Sequence, residues 1–434
     1  MFGYYLDLAL RSLKRNKALT ALMVLAIALG IGASMTTLTV LHVLSGNPLP
    51  GKSAHIYYPQ IDPRDSDDYR PGEEPSGQLS YIDAMNLLQA GRARYQAAMT
   101  GGSVPVESPD GKIDPFYTDA RYTTADFFPM FEVPMRYGHA WNAEADARDA
   151  RVVVISSKLN DKLFAGADSV GRTLRVNSQD FRVIGVLGDW HPNPHFYDLW
   201  TGKYSSDAED VYVPLTTAVD LKFGHDGNTN CWGKGGNPDH MKTASCTWLQ
   251  FWVQLDTPAE AADYKQFLVH YSQQQKALGR FQRPPNVRLR DLMAWLDYNH
   301  VVPSDVHLQV YLAFGFLLVC LVNTVGLLLA KFLRRGGEIG VRRALGASRT
   351  SIFAQLLIEA GVVGLVGGLL GLGLASLGLW LVRQQPADYA ALAHLDAPML
   401  LVTFLLALGA SLLAGLLPAW RGCQIAPALE LKAQ

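Results

Sequence analysis

The stretch GNPLPGKS, which begins at Gly46 and ends at Ser53, satisfies G-x-x-x-x-G-K-[ST] letter for letter. In ATPases and GTPases that pattern is a loop between a strand and a helix. Its backbone N–H groups cradle phosphate and its lysine reaches the terminal phosphates. Here the setting is wrong. A long apolar run precedes the loop, AHIYYPQ after it reads as a strand, and Pro48 and Pro50 each remove a backbone donor. The match is read as fortuitous, with no phosphate for Lys52 to hold.

Four histidines, His191, His195, His225 and His240, fall in and around one stretch, which raises metal binding. The two histidines of HPNPH are separated by prolines and cannot share a helix face, and no carboxylate–histidine spacing stands out. No metal site is expected. There is no nucleophile elbow, no HExxH and no acid–base pair, so the chain is not expected to be an enzyme. Trp190, Trp200, Trp232, Trp248 and Trp252 read as core or contact aromatics.

The elements that would position these residues are set by the membrane. Of 434 residues, 18% are charged and 49% apolar, against roughly 25% charged in soluble domains. Residues 19–44 carry no formal charge, and about 20 apolar residues suffice to cross a bilayer. The run exceeds the 7–15-residue apolar core of a signal peptide, so it reads as an uncleaved first span (19–45). Further spans are expected at 306–333, 351–383, where Glu359 is the single charge between Ile352 and Val382, and 398–420.

Orientation follows lysine and arginine. Arg11, Lys14, Arg15 and Lys17 precede the first span, six basic residues from Lys331 to Arg349 crowd the turn between the second and third, and Arg421 and Lys432 follow the last. With four spans these share one side, the cytoplasmic one. That assigns 1–18 (a cationic amphipathic segment, with Tyr4, Tyr5, Leu8 and Leu13 opposite its charges, suited to a lipid surface), 334–350 and 421–434 to the cytosol. Residues 46–305 and the short loop 384–397 fall outside. From Gly46 to His307 there are 33 acidic and 25 basic residues; the remainder holds 13 basic and 6 acidic. The net charge of −1 is therefore a segregated one, and no nucleic-acid partner is expected. GNPLPGKS becomes a proline-stiffened exit from the first span. Cys231 and Cys246 are the only cysteines outside. An oxidising compartment favours pairing them, and closing a loop of that length is worth about 3 kcal/mol in the chain-entropy model.

The outside segment reads as mixed α/β with a β-rich insertion at about 126–246. AHIYY is a strand, SYIDAMNLLQAGRARY a helix capped by Ser80, and VPVESPDGKIDPFY a hairpin. ARVVVISSKLNDKLF runs from buried strand to helix, SVGRTLRVNSQDFRVIGVL alternates as a hairpin, and DVYVPL is a short strand. TWLQFWVQL, PAEAADYKQFLVHYSQQQKAL and NVRLRDL close it as strand, helix, strand.

The cytoplasmic turn is the most informative stretch. EIGVRRALG is a short amphipathic helix with Arg342 and Arg343 expected outward. After it come Gly361, Gly364, Gly367, Gly368 and Gly371; Gly364/Gly368 and Gly367/Gly371 are GxxxG pairs that let membrane helices pack closely. Glu359 needs a polar partner, and an arginine of the preceding helix is in range. Asn323 and Thr324, deep in the second span, are expected to bond between helices.

EIGVRRALGAS, QLLIEAGVVGLVGGLLGL and GLLPAWRGCQIAPALELK resemble the MacB/FtsX-like permeases of ABC transporters. TTADFFPMF, VVVISSKLNDKLF, SVGRTLRVNSQDFRVIGVL and VYVPLTTA are similar to that family's periplasmic core domain. The resemblance covers nearly the whole chain. It implies an α-helical membrane protein with four transmembrane helices and a large, two-lobed mixed α/β periplasmic domain between helices 1 and 2, in a bacterial inner membrane. It places Glu338, Gly340, Arg342, Arg343, Ala344, Leu345 and Gly346 on a cytoplasmic coupling helix. It implies a separate dimeric ABC ATPase carrying ATP and Mg²⁺, since no nucleotide-binding domain is on this chain. A second permease copy or a sister permease, a periplasmic adaptor and an outer-membrane channel are further expected partners. The implied function is export driven by transmitted motion; the alternative is an FtsX-like regulator that activates a periplasmic cell-wall hydrolase. The loop from Asp189 to Cys246 departs from the family pattern.

Overall fold

The structure is a computed structural model that describes all residues except 1, 2, 4, 6, 7, 10, 13–15, 68, 110, 193, 201–207, 234, 238, 239, 303, 385–393 and 425–434. The chain divides into two compact units: residues 46–301, and residues 1–45 together with 302–434.

The second of these holds four helices long and apolar enough to cross a membrane: Lys17–Leu44, Ser304–Leu333, Arg349–Val382 and Ala397–Cys423. The first and fourth spans each pack against both the second and the third. The third has 34 residues, about 51 Å of helix, well beyond the roughly 30 Å of hydrocarbon. Its start is fixed by Ser348, whose hydroxyl accepts from the Ser351 N–H at 3.1 Å. The fourth is capped by Asp396, which accepts from Met399 N–H at 3.0 Å. In the N-terminal segment Tyr5, Leu8, Ala9, Arg11 and Ser12 are helical, with Ala9 and Ser12 buried; Tyr4, Leu13, Lys14 and Arg15 lie outside the described residues. The loop at 384–397 and the tail beyond Gln424 lie largely outside them as well. One expectation fails here. Thr324 donates to the carbonyl of Cys320 in its own helix at 2.8 Å, and Asn323 is exposed. A threonine can satisfy itself one turn back, which removes the need for a partner helix.

Among the described residues the outside unit is built on a sheet of twelve strands in the order β12-β1-β11-β3-β4-β9-β6-β8-β5, with β5 (Met135–Gly138) at one edge, β2 (Leu79–Ser80) and β10 (Asn230–Cys231) on β11, and β7 joining β3 to β8. The ranges that matter are β1 (Ile56–Ile61), β3 (Tyr95–Glu107), β4 (Phe116–Thr123), β6 (Val152–Ile155), β7 (Thr173–Val176), β8 (Gln179–Leu187), β9 (Val211–Pro214), β11 (Cys246–Gln254) and β12 (Val287–Asp291). Because β7 pairs with both β3 and β8, the pairings β3-β4-β9-β6-β8-β7 close on themselves. The insertion supplies most of this ring, and the rest of the domain supplies the open flank β12-β1-β11-β3. The expected hairpins are present: β3–β4 turns near Gly111, and β7–β8 turns through Asn177 and Ser178, both at positive φ. The expected Ser80 cap accepts from Asp83 N–H at 3.2 Å.

The strands read as unbroken apolar runs because both faces of the sheet are covered. Val211 and Val213 enter one core while Tyr212, between them, enters the other; Phe251 and Val253 are likewise split from Trp252, and Val153 and Ile155 from Val154. The first core is mainly aliphatic. The second is aromatic, centred on Phe127, Phe131, Tyr197, Tyr212, Trp252 and Trp295, with edge-to-face contacts such as Phe127–Tyr197 at 5.2 Å that add to area burial.

Candidate functional site

Glu359 sits in the third span, 1% exposed. A buried carboxylate is costly unless paired and hydrogen-bonded. Three groups converge on it: Lys331 from the end of the second span at 2.7 Å, Arg335 just beyond that span at 3.0 Å, and the hydroxyl of Ser12 from the N-terminal segment. Arg335 also reaches Ser12 at 3.0 Å and Glu338 at 3.2 Å. Burial works against the Arg335 charge, but Glu338 and Glu359 outweigh it and raise its pKa. The arginine partner is thus Arg335, just before the short helix rather than on it as expected; Lys331 and Ser12 were not anticipated.

From this cluster the short helix Gly336–Ala344 departs. Arg342, expected outward, turns back instead. It meets Glu338 at 2.8 Å, one turn earlier, and the Gln355 carbonyl of the third span at 2.9 Å. The i, i+4 spacing puts Glu338 and Arg342 on one face, and that face lies against the third span. Arg343 is partly exposed. Ile339 and Gly340 are buried, while Val341 and Leu345 are 46% and 84% exposed and Ala344 is exposed between them. Gly346, at φ +100°, takes the left-handed position that ends the helix. The fully exposed residues of the helix are therefore apolar, with Arg343 partly exposed beside them.

The glycines of the third span serve two neighbours. A Cβ on Gly367 would lie 2.8 Å from Ile27 Cγ2, and one on Gly371 3.0 Å from Ile31 Cγ2, both on the first span. One on Gly364 would lie 1.9 Å from Ser411 Cβ, and one on Gly368 2.5 Å from Ala407 Cβ, both on the fourth. Each GxxxG pair admits a different helix.

In the outside unit Lys52 does not line a phosphate loop. Its ammonium donates to the Pro129 carbonyl at 3.0 Å and lies 3.5 Å from Glu132. The segment after it is a single 3₁₀ turn, Ser53–His55, leading straight into β1. The histidines do not converge. His191 pairs with Asp189 at 2.8 Å, His195 is buried 3.3 Å from Glu209, His225 meets Thr229 at 2.7 Å, and His240 is exposed. Among the described residues no group of three His, Cys, Asp or Glu is placed to hold a metal. Cys231 and Cys246 form the expected disulfide, joining paired positions of adjacent strands.

A second buried ion cluster went unseen in the sequence. Arg121, on β4 and 1% exposed, donates to Asp198 at 2.6 Å and to Glu209. Glu209 also accepts from Tyr197 at 2.8 Å and Tyr212 at 3.3 Å, and Asp198 accepts from Gln250 at 2.9 Å. Burial would raise the Glu209 carboxyl, yet Arg121 and His195 hold it well below the usual carboxylate range. The cluster pins both ends of the segment 198–209, within the stretch that departs from the family pattern.

Four membrane-length helices and a large mixed domain after the first define a class of permeases. The chain matches the family profile described as MacB-like periplasmic core domain over residues 20–268 and that described as FtsX-like permease C-terminal over residues 310–427. It belongs to the MacB/FtsX-like permease family of ABC transporters. It is 25% identical to the macrolide export ATP-binding/permease protein MacB of Azoarcus sp., over 98% of this chain and 59% of the relative. It is 25% identical to the pyoverdine export ATP-binding/permease protein PvdT of Pseudomonas aeruginosa, over 83% of this chain and 48% of the relative. The chain thus spans about half to three fifths of these relatives' length. The ABC transporter permease YknZ of Bacillus subtilis is 23% identical over 98% of both chains. Among solved structures, the periplasmic region of MacB from Actinobacillus actinomycetemcomitans aligns over 57% of this chain and 94% of its own, at 15% identity and a TM-score of 0.36. The extracellular domain of YknZ aligns over 54% and 99%, at 12% identity and 0.35. Scores at that level add nothing to the assignment. The protein is a multi-pass membrane protein with an extracellular domain between its first two spans.

Proposed function

We propose that this chain is the transmission subunit of an ABC exporter in a bacterial inner membrane. A separate ATPase dimer, holding ATP and Mg²⁺, binds the helix Gly336–Ala344 and moves it. The periplasmic domain responds and drives a substrate outward, working beside a second copy or a sister permease. A periplasmic adaptor and an outer-membrane channel complete the path.

The observation that carries this reading is the build of that helix. Its polar residues are committed inward: Glu338 to Arg335 and Arg342, and Arg342 to Gln355. Its base is tied through Arg335 to Glu359 in the third span and Ser12 in the N-terminal segment. Outward lie Val341, Ala344 and Leu345, with Arg343 partly exposed beside them, a mainly apolar contact backed by ionic attachments. Motion imposed on it reaches the membrane helices directly.

The test is a Val341→Glu/Leu345→Glu double variant in native membranes. Uncompensated charge at a buried apolar contact is strongly unfavourable, so the variant is expected to insert normally and lose co-purification with the ATPase by at least about a hundredfold in affinity. Wild-type association together with wild-type export would overturn the assignment.

A further inference from the structure

A cleft of about 540 Å³ opens in the outside unit between β1, the segment 73–78, the segment 228–230 and the end of the helix Leu292–Tyr298. That volume lies within the range of about 300–1,000 Å³ typical of small-molecule sites. Its lining combines aromatic rings with side-chain amides. The charges along it are spent within the protein. Arg64 is held by Asp62 at 2.7 Å and Glu73 at 3.1 Å, and Glu74 by Arg290 at 2.9 Å. An anion would find no free guanidinium, and an apolar ligand would find too many amides.

The groups left for a ligand are specific. The side-chain amides of Asn228 and Asn230, both exposed, make no hydrogen bond among the described residues. Asn299 uses its N–H₂ on the Trp295 carbonyl at 2.8 Å, which leaves its own carbonyl open. Each free amide offers a donor beside an acceptor, the pattern that two neighbouring hydroxyls of a sugar complement. Trp200 is half-buried on the wall. Its ring lies against Gly77, where a Cβ would sit 2.2 Å from Trp200 Cζ2, so any larger residue at 77 would displace it. Tyr298 is 38% exposed and backed by Arg290 at 3.9 Å from its ring centre. Aromatic rings that combine an apolar body with a polar tip suit ligands that do the same. A pyranose does so, with C–H groups on its faces and hydroxyls around its rim.

We propose that this cleft binds a neutral saccharide, packed against Trp200 and Tyr298 and hydrogen-bonded through Asn228, Asn230 and Asn299. The site lies wholly in the outside unit and does not depend on coupling to an ATPase, so its test is separate from the one above.

The experiment is calorimetric titration of the full chain in lipid nanodiscs assembled without glucoside or maltoside detergents, which would occupy the site. The probes are chitotriose and maltotriose as free neutral oligosaccharides, octyl glucoside below its micelle concentration as a sugar on an apolar aglycone, and glucosamine trimer as a cationic control. Saturable binding of a neutral probe is expected at millimolar concentration or tighter. The Asn228→Ala/Asn230→Ala double variant should weaken it at least about tenfold, with the Cys231–Cys246 bridge and the melting temperature unchanged. Preference for octyl glucoside would identify a glycosylated small molecule or lipid as the source, and preference for an oligosaccharide a glycan. No saturable binding by any neutral probe up to about 10 mM, binding of the cationic control alone, or binding indifferent to the double variant would each overturn the proposal.

Discussion

Two buried ion clusters, one in each unit, are built in opposite ways. Around Glu359 one carboxylate is shared by two cations, Lys331 and Arg335. Around Arg121 one cation is shared by two carboxylates, Asp198 and Glu209, with His195 beside them. The first ties together segments whose relative placement must change if motion is to pass. The second ties Asp198 and Glu209, on either side of residues 201–207, to a strand, and aromatic rings surround it on several sides, among them Tyr197 and Tyr212. The difference teaches what each can tolerate. A buried arginine cannot shed its charge, whereas a stranded carboxylate can take up a proton.

The largest expected effect follows from that asymmetry. Glu359→Gln strands the buried Lys331 and leaves Arg335 with Glu338 as its remaining carboxylate, and should cost about 3–5 kcal/mol, seen as a lowered melting temperature of the full chain in nanodiscs, and the deficit should persist at acid pH. A deficit under 1 kcal/mol would mean that water reaches the cluster.

Arg121→Met strands Asp198 and Glu209 and starts from a similar cost of about 3–5 kcal/mol. Here the deficit should shrink as pH falls, because the Glu209 carboxyl, held low only by its partners, can protonate. Adding Glu209→Gln should recover part of it at neutral pH. Proteolysis within the segment 198–209 is the readout, and a pH-independent deficit would break the contrast between the two clusters.

The smallest effect is the shape of the pH profile for the outside unit. Glu209 is held below its ordinary value, so its stabilisation is present above about pH 4.3 and is lost as pH falls through the folded value. Asp146 behaves oppositely. Burial raises it to about 7 despite hydrogen bonds from Ala125 N–H and Trp141, so its contribution is complete below about pH 3.9 and fades as pH rises through 7. Denaturant titrations of the full chain should show stability declining from pH 4 to 7, and Asp146→Asn should flatten that limb. An unchanged slope in the variant would place the titration elsewhere.

Legibility in the sequence followed the range of the interaction. A lone Glu359 in an apolar run advertises a buried charge, and positive residues nearby narrow its partners; the arginine that meets it, Arg335, lies just before the short helix on which one was expected. Lys331 reads as an ordinary span-end lysine, and Ser12 carries no signal. GxxxG spacing announces close helix packing but not that Gly367 and Gly371 receive the first span while Gly364 and Gly368 receive the fourth. The short helix Gly336–Ala344 was legible from its period, but the face it buries was not. Arginines beside a basic turn suggest an outward charge, and only the position of Gln355 turns Arg342 inward.

The sequence by itself determined the four spans, their orientation, most of the longer strands and the hairpins of the outside domain, and the cysteine pair. These rest on hydropathy, charge bias, period and local turn chemistry, all written within a few residues. Tertiary structure alone decided the closure of β7 onto β3, the splitting of Val211, Tyr212 and Val213 between two cores, and the meeting of Arg121 with Asp198 and Glu209. Those depend on which distant segments share a low-dielectric interior. A buried charge takes whichever partner packing brings within about 3 Å, and no local pattern records that choice.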